Sequence, residues 1–277
     1  MEYLEIECIL KNNNDEAREV LIAYLATLDV ESFFETEKGI KAYLPIGKPL
    51  EQIKYFIENN NNIDSFQIIK IKEKNWNKEW EGEYKPVFFG NKCVIRASFH
   101  KKPANILYDI VIDPKMSFGT GHHESTFLMV QYLLEMDVRG LNILDMGCGT
   151  GILSILASMK GAASITAVDN NDWACQNAIE NVKINKIDNI EVINGNISTI
   201  LQKNSTYNMI LANIERNVLI NDMPDYCTCL NKDGGLIMSG ILKKDYSSIK
   251  GKARDCPLIF ISDKQKNDWI AVSYKKN

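Results

Sequence analysis

The sequence predicts an α/β protein: a doubly wound, mostly parallel sheet, preceded by a small ferredoxin-like α+β domain. Three observations carry this. From about residue 123, short apolar runs alternate with helical patterns. One of those runs, "NILDMG", ends in a glycine-rich turn that opens a helix. The N-terminal residues follow a different order, strand–helix–strand–strand–helix–strand.

In the N-terminal part, Leu4, Ile6, Cys8 and Leu10 alternate with polar residues, the period of a half-buried strand. Behind the polar "NNND", Ala17, Val20, Leu21, Tyr24, Leu25 and Leu28 recur at helical spacing. "SFFETEKGIKAYLP" reads as two strands joined by a turn at Lys38-Gly39. "LEQIKYFIE" puts Leu50, Ile53, Phe56 and Ile57 on one helical face, and "FQIIKIKE" is a strand. This domain spans 1–72, a charged linker 73–86 follows, and a second domain covers 87–277. In the linker, Trp76 and Trp80 share a face if the segment is helical and suit packing between domains.

The second domain begins with strands in "PVFFGNKCVIRASF" and "ILYDIVIDP". Then come a helix in "ILSILASMKG", a strand in "SITAVD", a helix in "DWACQNAIENVKIN" and strands in "IEVIN" and "YNMILAN". "VLINDMPDYCTCL" is helical with an expected interruption at Pro224. A strand in "GGLIMSG", a polar helix and strands near "PLIFIS" and "DWIAVSY" finish the chain.

Composition bounds the function. The net charge of −4 argues against nucleic-acid binding, which calls for a basic excess. Lys70, Lys72, Lys74 and Lys78 form a basic stretch, but Glu73, Glu79 and Glu81 interleave it, as on a solvated helix face. No apolar run reaches the length of a membrane span, and "MEYLEIECIL" lacks the features of a signal peptide. Seven cysteines without a CxxC pair fit reduced thiols and a cytoplasmic location.

The chemistry gathers at strand ends. In "LDMGCGTG", Gly147 and Gly149 allow a sharp turn and close approach of backbone to a ligand. The third glycine is Gly151 and position 152 is Ile, so the dinucleotide spacing G-x-G-x-x-G is absent. With Asp145 ahead of it, this loop fits S-adenosylmethionine, which has no pyrophosphate to cradle. Asp169 ends the next strand, where a carboxylate can accept hydrogen bonds from both ribose hydroxyls; Asn171 and Asp172 are free to cap the following helix. Asn196 stands where it borders the adenine or simply closes a turn. Asn213 ends the strand "ILAN", at the carboxyl edge that forms the ligand crevice of open α/β sheets, and is the candidate catalytic residue in an orienting role.

"FGTGHHEST" admits several readings. Its paired histidines suggest a metal, but adjacent side chains diverge, only His100 remains elsewhere, and no HExxH or Cys/His spacing accompanies them. No metal is expected. No Gly-Lys-Ser/Thr follows, so it is not a phosphate loop. What remains is a glycine turn feeding a helix whose first amides, with Thr126, can face a methionyl carboxylate, while Phe118 and Gly119 cover the ligand.

"NWNKEWEGEYKPVFFG", "IDPKMSFGTGHHEST", "LDMGCGTGIL", "AVDNN", "ILANI" and "GGLIMSGIL" occur in the order found in the ribosomal protein L-eleven methyltransferase family, which the chain resembles over nearly its whole length. The resemblance implies a class I methyltransferase domain and S-adenosylmethionine as methyl donor. It implies an N-terminal domain that recognises the ribosomal protein, and methylation of lysine side chains or the N-terminal amine of L-eleven. It carries cofactor positions onto Thr126, Gly147, Asp169 and Asn213. "GHHEST" departs from the family's frequent "GTHPTT"; Thr126 keeps the hydroxyl, while Glu124 replaces a proline where the helix begins. Methylation of another protein or of a small amine is the nearest alternative. A non-catalytic cofactor-binding protein of ribosome assembly is another. Base methylation is disfavoured, because "ANIE" lacks the Asn-Pro-Pro-aromatic form.

Overall fold

A computed structural model describes residues 3–48, 50–71, 84–113 and 117–277. Trp76, Trp80 and most of the linker lie outside the described residues. The chain divides into two compact units, Met1–Glu83 and Tyr84–Asn277.

The first unit runs β1 (Tyr3–Leu10), α1 (Asp15–Ala26), β2 (Ser32–Thr36), β3 (Gly39–Pro45), α2 (Leu50–Glu58) and β4 (Ile63–Ile71). Its antiparallel sheet has the order β2-β3-β1-β4. Alternation in β1 buries Ile6, Cys8 and Leu10. Asn14 caps α1, its side chain accepting from the Ala17 amide at 2.8 Å. The apolar stripe of α1 is narrower than the spacing predicts. Leu21 and Leu25 are buried, but Val20 is exposed, and Tyr24 leaves the core to stack on Phe56 at 3.7 Å.

The second unit opens with a three-stranded sheet, β5 (Val87–Phe89), β6 (Cys93–Arg96) and β7 (Tyr108–Val111). The main sheet and its helices follow: α3 (Glu124–Glu135), β8 (Asn142–Met146), α4 (Ile152–Met159), β9 (Ser164–Asp169), α5 (Asp172–Ile184), β10 (Ile190–Asn194), α6 (Ile197–Gln202), β11 (Tyr207–Asn213), α7 (Arg216–Cys229), β12 (Leu230–Leu242), α8 (Tyr246–Arg254), β13 (Leu258–Lys266) and β14 (Trp269–Lys276). Strand order is β10-β9-β8-β11-β12-β14-β13. The first five are parallel, β14 runs antiparallel to them, and β13 pairs antiparallel with β14. Central strands are covered on both faces and therefore read as continuous apolar runs: Ile143, Leu144, Ile210 and Leu211 are fully buried. The expected interruption at Pro224 does not occur; α7 runs unbroken through it. A proline removes one amide bond, and the buried row Leu219, Met223 and Tyr226 holds the helix against the sheet regardless. Strand β12 also begins earlier than "GGLIMSG", at Leu230.

Strand order reverses between β8 and β11. In open sheets of this kind the two chain directions leave a crevice at that point, outside the carboxyl ends of the strands.

Candidate functional site

The loop after β8 lies at this switch point. Gly147, Gly149 and Gly151 all have left-handed φ, 67°, 54° and 78°. A Cβ on Gly149 would stand 2.3 Å from the Phe118 carbonyl oxygen, and one on Gly147 would stand 2.1 Å from Ile214 Cγ2. The loop amides are already engaged. Gly147 and Cys148 donate to Val168 O, Gly149 to Asp169 Oδ2 at 3.0 Å, and Thr150 to Phe118 O. Such a loop has no cluster of free amides for a phosphate; it offers a close backbone surface instead.

Asp169 sits at the carboxyl end of β9, next to this loop. Its Oδ1 accepts from the Asn171 amide at 3.0 Å. Asn171, not Asp169, caps α5, accepting from the Trp173 and Ala174 amides. The Asp169 carboxylate thus orders the loop and still faces the cavity. Asn196 is a cap with a reciprocal capping box on α6, although it also borders the cavity.

The segment from Phe118 is fastened to the glycine loop: Thr150 Oγ1 donates to Gly119 O at 2.5 Å. Its histidines diverge. His122 Nε2 meets Lys85 O at 2.8 Å, whereas His123 Nδ1 caps α3 by accepting from the Ser125 amide at 3.2 Å. One of the helix amides expected to face a ligand is therefore occupied. Thr126 is fully buried, and its hydroxyl oxygen accepts from Asn213 Nδ2 at 3.2 Å. Neither Thr126 nor Gly119 is among the described residues that line the cavity. Their place is behind its wall, where Thr126 aims Asn213. Phe118, Gly147, Gly149, Asp169 and Asn213 do line it.

Asn213 is nine-tenths buried, and its Oδ1 has no partner among the described residues. With Nδ2 held by Thr126, this oxygen is an acceptor in need of a donor.

Asp145 lies one layer deeper. It is almost fully buried, its Oδ2 accepts from the Ser154 amide and hydroxyl, and its Oδ1 has no partner among the described residues. Burial pushes its carboxyl up to about 6, against the opposing pull of the Ser154 bonds, and the Asp169 charge adds to the rise. An acid with a raised folded pKa holds its proton more tightly folded than unfolded. Its contribution is therefore favourable at low pH and is lost as pH rises from about 4 through 6. Asp145→Asn should abolish this dependence. Between pH 4 and pH 7.5, urea unfolding of the wild type should lose about 2 kcal/mol more than the variant. Equal losses would refute the burial argument.

The cavity measures about 550 Å³, within the range for small-molecule sites. Asp169, Glu215 and Asp222 line it, with no lysine or arginine among the described lining residues. A cationic, phosphate-free ligand suits such a surface, and S-adenosylmethionine carries a sulfonium and an ammonium against one carboxylate. The close-packed glycine turn fits the same ligand.

Sequence reasoning missed the struts. Asn181, fully buried on α5, donates to Thr150 O and accepts from the Asp113 amide. Asn185 makes a two-way bond with the Val111 backbone. Asn177, Asn181 and Asn185 recur every fourth residue, so this amide row was visible as a stripe. Trp269, which also lines the cavity, carried no local signal.

The family model for ribosomal protein L11 methyltransferase (PrmA) matches residues 6–277. A ribosomal protein L11 methyltransferase from Phocaeicola vulgatus is 39% identical over 281 residues, covering 99% of each chain. One from Porphyromonas gingivalis is 37% identical, covering 99% of this chain and 98% of its own. Among solved structures, a ribosomal protein L11 methylase from Lactobacillus delbrueckii subsp. bulgaricus superposes with a TM-score of 0.63 at 26% identity, over 70% of this chain and all of that one. With a switch-point cavity shaped for a phosphate-free cation and a family match along almost its full length, the chain belongs to the ribosomal protein L11 methyltransferase family and is an S-adenosylmethionine-dependent methyltransferase.

Proposed function

We propose that this protein methylates amino groups of ribosomal protein L11, on lysine side chains, the N-terminal amine or both. The observation that carries the reading is the buried, unpartnered Asn213 Oδ1 at the cavity wall, beside a glycine turn and a strand-end carboxylate. The bound donor supplies an electrophilic methyl group on a sulfonium. Asp169 accepts from the ribose hydroxyls, Gly147 and Gly149 lie against the donor, and Phe118 covers it. Thr126 and Gly119 support this arrangement from behind. Asn213 Oδ1 accepts an N–H bond from the incoming amine and so orients its lone pair.

The amine must be neutral to attack. A lysine with its pKa of ~10.4 costs about 4.6 kcal/mol to neutralise at pH 7, and an α-amine at ~7.7 about 1 kcal/mol. An apolar enclosure reduces that cost by disfavouring the ammonium. We read the unit Met1–Glu83, including the expected domain 1–72, as the module that recognises the protein substrate. The acceptor is then L11 before or during subunit assembly. Seven unpaired cysteines fit action in the reducing cytoplasm. No described helix is long and apolar enough to cross a membrane.

Incubation with labelled S-adenosylmethionine and purified large-subunit proteins should place label on L11. Absence of label on L11, with cofactor binding demonstrated, would remove the substrate assignment.

A further inference from the structure

Beyond Phe118, which covers the cofactor, the cavity has a wall the cofactor reading does not use, made by His123 and Trp269. Trp269 opens β14, and its ring meets the His123 ring edge-to-face at 4.5 Å. His123 in turn stands edge-on to Phe118 at 5.1 Å. All three line the cavity.

The hairpin between β13 and β14 is fastened along α3, which sets the position of Trp269. Asn267 Nδ2 donates to Glu124 Oε1 at 3.0 Å. The Lys266 ammonium lies 4.0 Å from the centre of the Phe127 ring, and Lys264 pairs with Glu135 at 2.8 Å. Glu124 is the residue that departs from the common family proline, and here it clasps the hairpin.

Sheet order separates the two ends of the cavity. Asp169 and Asn196 belong to the β9–β10 side, Asn213 and Trp269 to the β11–β14 side. With the ribose at Asp169, the amine reaches the methyl group from the aromatic side. The nitrogen lone pair forms the new N–C bond and the C–S pair returns to sulfur. The positive charge moves onto nitrogen, and the proton then lost goes to water. An aromatic face attracts the ammonium so formed.

We propose that Trp269, seated on His123, is the specificity-determining wall of the acceptor-amine seat. Its ligands are the N-methylated ammonium groups formed by transfer, and the Glu124–Asn267 bond is the clasp that positions it. This rests on the cofactor orientation given above.

The test uses binding rather than turnover. The full-length protein, saturated with S-adenosylhomocysteine, is titrated calorimetrically with Nα-acetyl-Nε-trimethyl-lysine methylamide. A second titration uses the neutral analogue with carbon in place of the quaternary nitrogen. The wild type should prefer the cation by roughly tenfold. Trp269→Leu, which keeps apolar bulk, should lose that preference, and Trp269→Phe should keep most of it. Glu124→Ala should reduce it by about threefold. Thermal melts confirm folding of each variant. Equal affinity of the wild type for both probes, or an undiminished preference in folded Trp269→Leu, overturns the proposal. A wild type that shows the preference but leaves L11 unlabelled removes the substrate reading and leaves the wall standing. Labelling of L11 without the preference does the reverse.

Discussion

Asp169→Ala is expected to weaken S-adenosylmethionine binding by two orders of magnitude or more, as read by calorimetric titration of the folded protein. Two effects combine. Each hydrogen bond from a ribose hydroxyl to the carboxylate is worth about 1.5–3 kcal/mol, and both vanish. The substitution also releases the Gly149 and Asn171 amides, which Asp169 holds at 3.0 Å each. The glycine turn then loses an internal support as well as its ligand partner. Asp169→Asn separates the two: its remaining carbonyl oxygen can still accept from one amide, so its loss should be smaller. Unchanged titration curves for Asp169→Ala would remove the ribose assignment.

Gly149→Ala is the second large effect. The added Cβ would lie 2.3 Å from the Phe118 carbonyl oxygen, and the residue must hold a φ of 54°. Backbone on both sides of the clash prevents a cheap side-chain adjustment. Left-handed strain of roughly 1–2 kcal/mol adds to overpacking of about 1–3 kcal/mol. A stability loss of about 2–5 kcal/mol is expected in urea unfolding. Displacement of the Phe118 segment should weaken cofactor binding at least tenfold even where the fold survives. A variant with wild-type stability and affinity would show that the two segments do not touch.

Legibility differed between kinds of residue. The strand-end place of Asp169 and the turn of the glycines are readable because both are local. A carboxylate at a strand end and a turn that needs positive φ are determined by a few neighbouring residues. The same holds for β1, whose alternation buries Ile6 and Cys8 as read. Pro224 misled because a local breaker was outweighed by the buried face of α7. Thr126, expected at the ligand, hydrogen-bonds Asn213, a residue 87 positions away. No local pattern foretells that partner. His123 was half of a metal-like pair; its imidazole serves as a helix cap and as one ring of an aromatic row.

The sequence by itself determined the two-part order of elements, the switch-point loop, the strand-end carboxylate and amide, and the family, because periodicity, turn chemistry and short motifs are properties of adjacent residues. Tertiary structure alone decided which side chains share the cavity. It turned Thr126 into a support, made Asn181 a strut to Thr150, and brought Trp269 against His123 across 146 residues of chain. Those outcomes depend on how the strands are ordered in the sheet and how the last hairpin packs on α3. That packing is set by burial summed over the whole domain, so no single stretch of the sequence displays it.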